Sequence, residues 1–259
     1  MQDDALAGLL LLVSRRGDLV ADQMRRISRM HHLLNAIPPD LEHALDLTNA
    51  APALLLTRHV TAAELRAKGV PAPEGLVEAA HATARAHPGL KLPAESATAA
   101  QMREMAEEAI SCRARLTALD RKLAELVRAH PDGTLVLSLS GMGVVLAAEF
   151  LAEAGDVSRF RSVAALASAA GLATVLRQSG ESARLQRPCY ANNRLKRAFY
   201  QSVFCSLADP LSRAFYERKR REGKRHHRAV IALARRRADV LWALLTFRKP
   251  FDAEHRKAA

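Results

Sequence analysis

MREMAEEAISCRARLTALDRKLAEL, Met102–Leu126, decides how the rest of the chain is read. Met102, Ala109, Leu116 and Leu123 recur every seven residues and alternate with Met105, Cys112, Leu119 and Leu126. Every seam position is apolar, the pattern that lays one helix along another in a coiled coil. A second row of this kind starts near the N-terminus. There Leu6, Val13, Val20, Ile27 and Leu34 repeat at seven, with Leu10 and Met24 interleaved and Gly17 and His31 as the weak positions of that interleaved row. Two heptad helices of similar length predict an antiparallel or intersubunit coiled coil, and through it a homo-oligomer. The plainer alternative is that both helices pack on a larger core.

Between the two rows, residues 38–93 hold seven of the eleven prolines. Pro38-Pro39, Pro52, Pro71, Pro73, Pro88 and Pro93 cut the chain into short helical pieces such as 62–68 and 75–86, since proline lacks the N–H a helix interior needs. A small helical insertion over about 38–97 is the expectation, at the tip of the coiled coil. It carries no chemistry, because His59, His81 and His87 are too spread to act together. His130-Pro131-Asp132-Gly133 then stops the second long helix. The expected division is a coiled-coil region over 1–132 and a C-terminal domain over 133–259.

Bulk composition narrows the function classes. Hydrophobic residues make up 49% of the 259 and aromatic residues 4%, and alanine and leucine dominate, which favours helix over sheet. The longest apolar run, around Leu9–Val13, is far too short to span a bilayer, and Arg15, Arg16 and Asp18 break up any leader-like stretch. Cys112, Cys189 and Cys205 are scattered and odd in number, which suits a reducing compartment and offers no zinc spacing. A cytoplasmic, nucleoid-associated protein with no membrane partner is expected. The net charge of +12 is concentrated at one end: residues 194–259 carry 18 Lys/Arg against six Asp/Glu, while 1–193 balance at 21 each. Such one-sided charge is the footprint of a polyanion partner, most commonly nucleic acid.

The C-terminal half shows where a polyanion could be held. An apolar segment from Leu135 runs into Gly141-Met142-Gly143, followed by an apolar helix over 144–154 that Gly155 stops. Two glycines allow a tight turn, and the following helix start presents unpaired N–H groups, the means of gripping a phosphate without reading a base. This is the pattern of a helix-hairpin-helix. Another helix is expected over 158–170, with Ser158 as a cap and Gly171 as its end. Asn192 or Asn193 caps the next, in which Leu195, Phe199 and Val203 form a core stripe and Arg194, Lys196 and Arg197 lie opposite. In the stretch 216–245, Val230, Leu233, Ala234, Leu241 and Leu244 face inward, leaving Arg235, Arg236 and Arg237 largely outward. Lys219 to Arg228 would track a phosphate backbone. No regular aromatic interleaving supports stacking on splayed bases.

These segments carry a resemblance. LSGMGVVLAAEFLAEAGDVSRFRSVAALASAAGLATVLRQSG, then NNRLKRAFYQSVFCSL, FYERKRREGK and AVIALARRRADVLWALL resemble the transposases of the one-ten insertion-sequence family. That family is also named for its one-sixteen and nine-oh-two members and comprises the bridge-RNA-guided recombinases. DLVADQMRRISRMHHLL and PPDLEHALDLT are similar to its coiled-coil region, so the resemblance covers essentially the whole chain. It implies DNA strand exchange by a RuvC-like nuclease domain with four Mg²⁺-binding acids, a coiled coil, and a C-terminal helix-hairpin-helix domain with a nucleophilic serine. Here that serine is Ser179, within Gln178-Ser179-Gly180, which would be joined transiently to a DNA 5′ phosphate while a guide RNA pairs with donor and target. A serine hydroxyl is a weak nucleophile and needs charge stabilisation at phosphorus, for which Arg177, Arg184 and Arg187 are near in sequence.

None of the four family acids is carried over, because Asp3 and Asp4 do not match the acidic motif. No metal ligand and no cofactor are therefore expected in this chain, Mg²⁺ belonging to the complete family enzyme. The expectation is a truncated copy, or the distal part of a split reading frame, unable to recombine DNA alone. Its fold class is mainly α: long coiled-coil helices with a helical insertion, then a helical DNA-binding domain with room for a short β-hairpin. Expected nucleic-acid contacts are Gly141, Gly143, Arg177, Arg184, Arg187, Arg194, Lys196, Arg197, Lys219, Arg220, Lys224, Arg225, Arg228, Arg235 and Arg236. The alternative is a non-catalytic nucleic-acid-binding coiled-coil module or decoy. A helical protein-interaction adaptor would use the heptads alone and leave the charge unexplained.

Overall fold

The computed structural model describes residues 2–35, 45–61, 64, 78, 82, 95–173, 175–179, 182–186 and 190–252. The chain forms two compact units, Arg15–Leu119 and Met1–Ser14 with Asp120–Ala259. Among the described residues the fold is mainly helical, with nine α-helices and one two-stranded hairpin. No helix among them is long and apolar enough to cross a membrane.

In the unit Arg15–Leu119, the long helices α1 (Gln2–Asn35) and α3 (Glu95–Ala129) run antiparallel. Cys112 Sγ lies 3.5 Å from the Leu19 carbonyl, Gln23 Nε2 donates to the Ala109 carbonyl at 3.3 Å, and Arg26 Nε donates to Glu108 Oε2 at 2.9 Å. The core between them holds Ile27, Met30 and Leu34 of α1 and Met102, Ala106 and Ala109 of α3, closed by Leu55 and Leu56 of the short helix α2 (Ala50–Leu56). Glu64 accepts the Val60 and Thr61 N–H groups at 2.8 and 3.1 Å and pairs with Arg103 on α3. The helical pieces expected at 62–68 and 75–86 fall almost wholly outside the described residues.

One expectation about α1 is corrected. The row Leu6, Val13, Val20, Ile27, Leu34 is turned inward, with Val13, Ile27 and Leu34 buried. The residues interleaved with it are not Leu10 and Met24, which are 36% and 53% exposed, but Leu9, Gln23 and Met30, which are buried. A seven-residue row has a flank three residues on and another four residues on, and packing chooses between them. The chosen flank includes a glutamine, whose amide is satisfied by the Ala109 carbonyl.

In the other unit, α3 ends at Ala129 and the turn 130–132 leads into α4 (Gly133–Ser138). Leu139–Gly143 then joins α4 to α5 (Val144–Ala154), which stops at Gly155 in a positive-φ conformation. The helix expected over 158–170 is two elements. Asp156 caps a 3₁₀ turn at Val157–Arg159 by accepting the Ser158 N–H, and Ser162 caps α6 (Val163–Ala169) by accepting the Ala165 N–H at 3.2 Å. Ser162 rather than Ser158 is thus the α6 cap, because its hydroxyl is three residues from the orphan donor.

Strands β1 (Val175–Ser179) and β2 (Ser182–Gln186) form an antiparallel hairpin, followed by α7 (Asn193–Ser206), α8 (Pro210–Arg221) and α9 (His226–Phe247). Gly223, at φ +83°, separates α8 from α9 within a stretch whose pattern alone could continue as helix. Helix α7 packs between α5 and α9, and α9 also meets α6 and α8. Phe150 of α5 and Phe199 of α7 are fully buried and meet edge to face, 5.7 Å between ring centres.

Candidate nucleic-acid interface

The basic third of the chain is carried by α7, α8 and α9, and the structure sorts its cations into three groups. The first is held by α5. Arg197 pairs with Glu149, and Arg194 Nη1 lies 3.3 Å from Glu153 Oε1. Glu149 is only 8% exposed, and its second oxygen has no partner among the described residues, so its charge is answered mainly by Arg197. Both arginines keep exposed side chains, yet they also fasten α7 to α5. Lys196 is half-buried on the same helix.

Asn192 organises that helix start. Its Oδ1 accepts the Arg194 and Leu195 N–H groups at 2.9 and 3.0 Å, and its Nδ2 donates to Glu153 Oε2 at 2.7 Å. Asn192→Ala is expected to lower stability by about 1–2 kcal/mol, read from the denaturation midpoint.

The second group faces solvent. Arg220, Arg225 and Arg228 are exposed, and Lys224 is half-buried at the α8–α9 turn, where Arg220 Nη1 donates to its carbonyl at 3.0 Å. Lys219 Nζ donates to Glu222 at 2.7 Å, and Arg235 Nε lies 3.0 Å from Asp239 Oδ1. The hydrogen bond from Lys219 lowers the Glu222 pKa most, and the charges of Lys219, Lys224 and Arg218 lower it further.

The third group surrounds Phe215. The guanidinium groups of Arg218 and Arg236 lie 5.0 and 4.8 Å from its ring centre, and the Lys219 ammonium 5.6 Å. Beside it opens a cleft of about 360 Å³ lined by Arg218, Arg221, Arg236 and Arg237 over Leu139 and Leu233. Arg237 corrects the sequence reading. It is 4% exposed rather than outward, donating from Nε to Ser202 Oγ at 2.9 Å and from Nη2 to the Ser140 carbonyl. Burial pushes its pKa down to about 10, so it stays charged at neutral pH.

Gly141 and Gly143 have separate jobs. At φ +77°, Gly141 abuts α7 so closely that a Cβ there would meet the Ser206 N and the Ser202 carbonyl oxygen at 2.7 and 2.8 Å. Gly143 faces open space at the start of α5, whose first turn has no side-chain cap. Ser179 closes β1 opposite Ser182, and Arg177 is the direct register partner of Arg184. The two-residue strand period assigns positions 177, 179, 182 and 184 to one face of the hairpin. Arg187 lies outside the described residues. Among the described residues no three His, Cys, Asp or Glu side chains converge as a metal ion requires.

A helical unit with its cations gathered on three adjacent helices is a class of protein suited to a polyanion. The comparisons make that class particular. The model of the "Transposase IS116/IS110/IS902 family" matches residues 133–217, from α4 into α8. The chain is 40% identical over 94% of its length to the 42 kDa protein of insertion element IS900 from Mycobacterium paratuberculosis. It is 37% identical over 94% of its length to the 44.8 kDa protein of insertion element IS116 from Streptomyces clavuligerus. These alignments cover 65% and 64% of the two relatives, so the chain spans just under two thirds of their length. A pilin gene-inverting protein of Moraxella bovis is 30% identical over 53% of the chain and 45% of its own length. Residues 133–217 thus match the IS116/IS110/IS902 transposase family, and the chain as a whole is similar to proteins of insertion elements.

Proposed function

We propose that this chain binds DNA and takes part in DNA transposition, with Ser179 as the group that attacks the phosphodiester. The observation that carries the reading is the family relationship of a unit whose 18 cations against six acids fall in residues 194–259. In this mechanism the uncapped start of α5 at Gly143 and the exposed cations of α8 and α9 hold phosphates, with residues 133–259 acting as the DNA-binding domain. The Ser179 hydroxyl oxygen bonds to phosphorus and the strand's 3′ oxygen leaves, taking up a proton as the serine gives one to solvent. One phosphate ester replaces another, so the linkage can be resealed without an external energy source. Arg177 and Arg184, paired across the hairpin, support the reading because negative charge builds on the phosphoryl oxygens during attack. Pairing of a guide RNA and assembly through the heptad helices belong to the same proposal.

Two measurements test it. Wild-type binding to duplex DNA should weaken steeply with salt, with a log–log slope of about −0.9 per phosphate contacted. A flat slope would remove the DNA-binding reading. When the rest of a full-length relative is supplied in trans, the wild-type chain should form a covalent adduct with DNA and Ser179→Ala none. An undiminished adduct in the alanine variant would take the nucleophile away from Ser179 while leaving DNA binding intact.

A further inference from the structure

Five rings from three helices converge on one face of the C-terminal helices. Tyr200 and Phe204 come from α7, Tyr216 from α8, and His226 and His227 from the first turn of α9. They form a continuous chain. Ring centres are 5.7 Å apart for His227 and Tyr200, 5.2 Å for Tyr200 and Phe204, 6.2 Å for Phe204 and His226, and 5.8 Å for His226 and Tyr216. Two contacts fix the histidines: Tyr216 Oη lies 2.8 Å from His226 Nδ1, and Tyr200 Oη 3.4 Å from His227 Nδ1. None of the five rings is buried. Phe204 is 38% exposed, both histidines are exposed, and both tyrosines are half-exposed.

Core packing does not account for this cluster, since its rings spend their contacts on one another at the surface. Its setting is cationic. Lys224, Arg225 and Arg228 flank the histidines in the chain, and α8 ends in Arg218, Lys219, Arg220 and Arg221. The nearby carboxylates are engaged: Glu217 by Arg213 and Glu222 by Lys219. Aromatic faces among backbone-tracking cations are what holds unpaired nucleic acid, because every base offers a π-face whatever its identity. A duplex hides those faces within its own stack.

We propose that this face is a stacking platform for the unpaired bases of single-stranded DNA. The proposal rests on the DNA-transposition reading above and deepens it. Strand exchange separates base pairs next to the cut, and a platform in the same unit as Ser179 would hold the freed strand. DNA rather than RNA is the occupant because the strands being exchanged are DNA.

The test uses the 259-residue chain with a thymidine oligonucleotide, a mixed-sequence duplex of equal length, and the matching uridine oligoribonucleotide. Phe204→Ala and His226→Ala should each weaken single-strand binding about tenfold, as loss of one stacked base does, and leave the duplex affinity and the salt slope unchanged. Phe204→Trp should restore the affinity, and its added emission should be quenched by the single strand. This optical readout also separates stacking from a folding defect. Binding of duplex with single-strand affinity unmoved in both alanine variants and no quenching would overturn the platform while leaving the DNA-binding reading standing. Failure to bind either DNA would bring down both. Tighter binding of the uridine strand than of the thymidine strand would overturn the DNA assignment.

Discussion

Gly141→Ala is expected to destabilise the unit that contains it by about 2–5 kcal/mol, two costs acting together. The first is the backbone: at φ +77° an L-residue pays roughly 1–2 kcal/mol for the left-handed conformation. The second is packing, because the new Cβ would press on the Ser206 N and the Ser202 carbonyl oxygen at 2.7 and 2.8 Å. These are α7 backbone atoms and cannot rotate aside, so α7 or the 139–143 turn must shift, at about 1–3 kcal/mol. Thermal unfolding should show a midpoint lowered by roughly 4–20 °C. Gly143→Ala, with nothing within 4 Å of its Cβ, is the matched control and should change stability by less than about 0.5 kcal/mol. Equal midpoints for the two variants would show that the turn does not pack on α7 as described.

Arg237→Ala is the second large effect, expected at about 2–4 kcal/mol. Truncation removes charged donors from Ser202 Oγ and the Ser140 carbonyl, bonds of roughly 1.5–3 kcal/mol each before compensation, and leaves a void under the cleft. Burial works the other way. The guanidinium's pKa falls to about 10, so holding it charged inside the unit costs free energy that truncation returns. The lost bonds and packing outweigh that relief because both acceptors are left without their donor. A double-mutant cycle with Ser202→Ala measures the α7–α9 bond directly, and a coupling of about 1 kcal/mol or more is expected. Additive single effects would mean that the Arg237–Ser202 bond contributes nothing to stability.

Both predictions concern one small region, where the turn after α4 is gripped by α7 and α9. That region also sets the geometry of the basic surface. Gly141 lets the turn approach α7, Arg237 ties α9 to the same turn, and Glu149 and Glu153 fasten α7 to α5. The surface cations therefore stand on a scaffold whose interior carries its own charged anchors. Arg194 and Arg197 belong partly to that scaffold, so their loss would weaken the fold as well as any phosphate contact.

Much of this was legible in the linear chain wherever the deciding interaction is local. The α5 helix ends where Gly155 stands, Asn192 caps α7 with donors two and three residues on, and the His130-Pro131-Asp132-Gly133 stop follows directly on the end of α3 at Ala129. Caps and stops act within one turn, so residue type and spacing suffice to read them. Ser162 is not legible as the α6 cap, because Ser158 offers the same chemistry four residues earlier and only backbone geometry chooses between them. The family resemblance rests on ordered motifs from Leu139 onward together with segments of α1 and of residues 38–48, and residues 133–217 are where the family model matches.

Sequence by itself determined the long helices, the helical class and the placing of charge at the C-terminal end. Each follows from local propensity, heptad spacing or composition. Tertiary structure alone decided that Leu9 and Gln23, rather than Leu10 and Met24, fill the inner row. It alone buried Arg237 and gathered five rings from three helices onto one cationic face. The physical reason is common to all three. A side chain's burial and company depend on neighbours brought from distant elements, and a period of seven or a run of arginines is equally satisfied by more than one such arrangement.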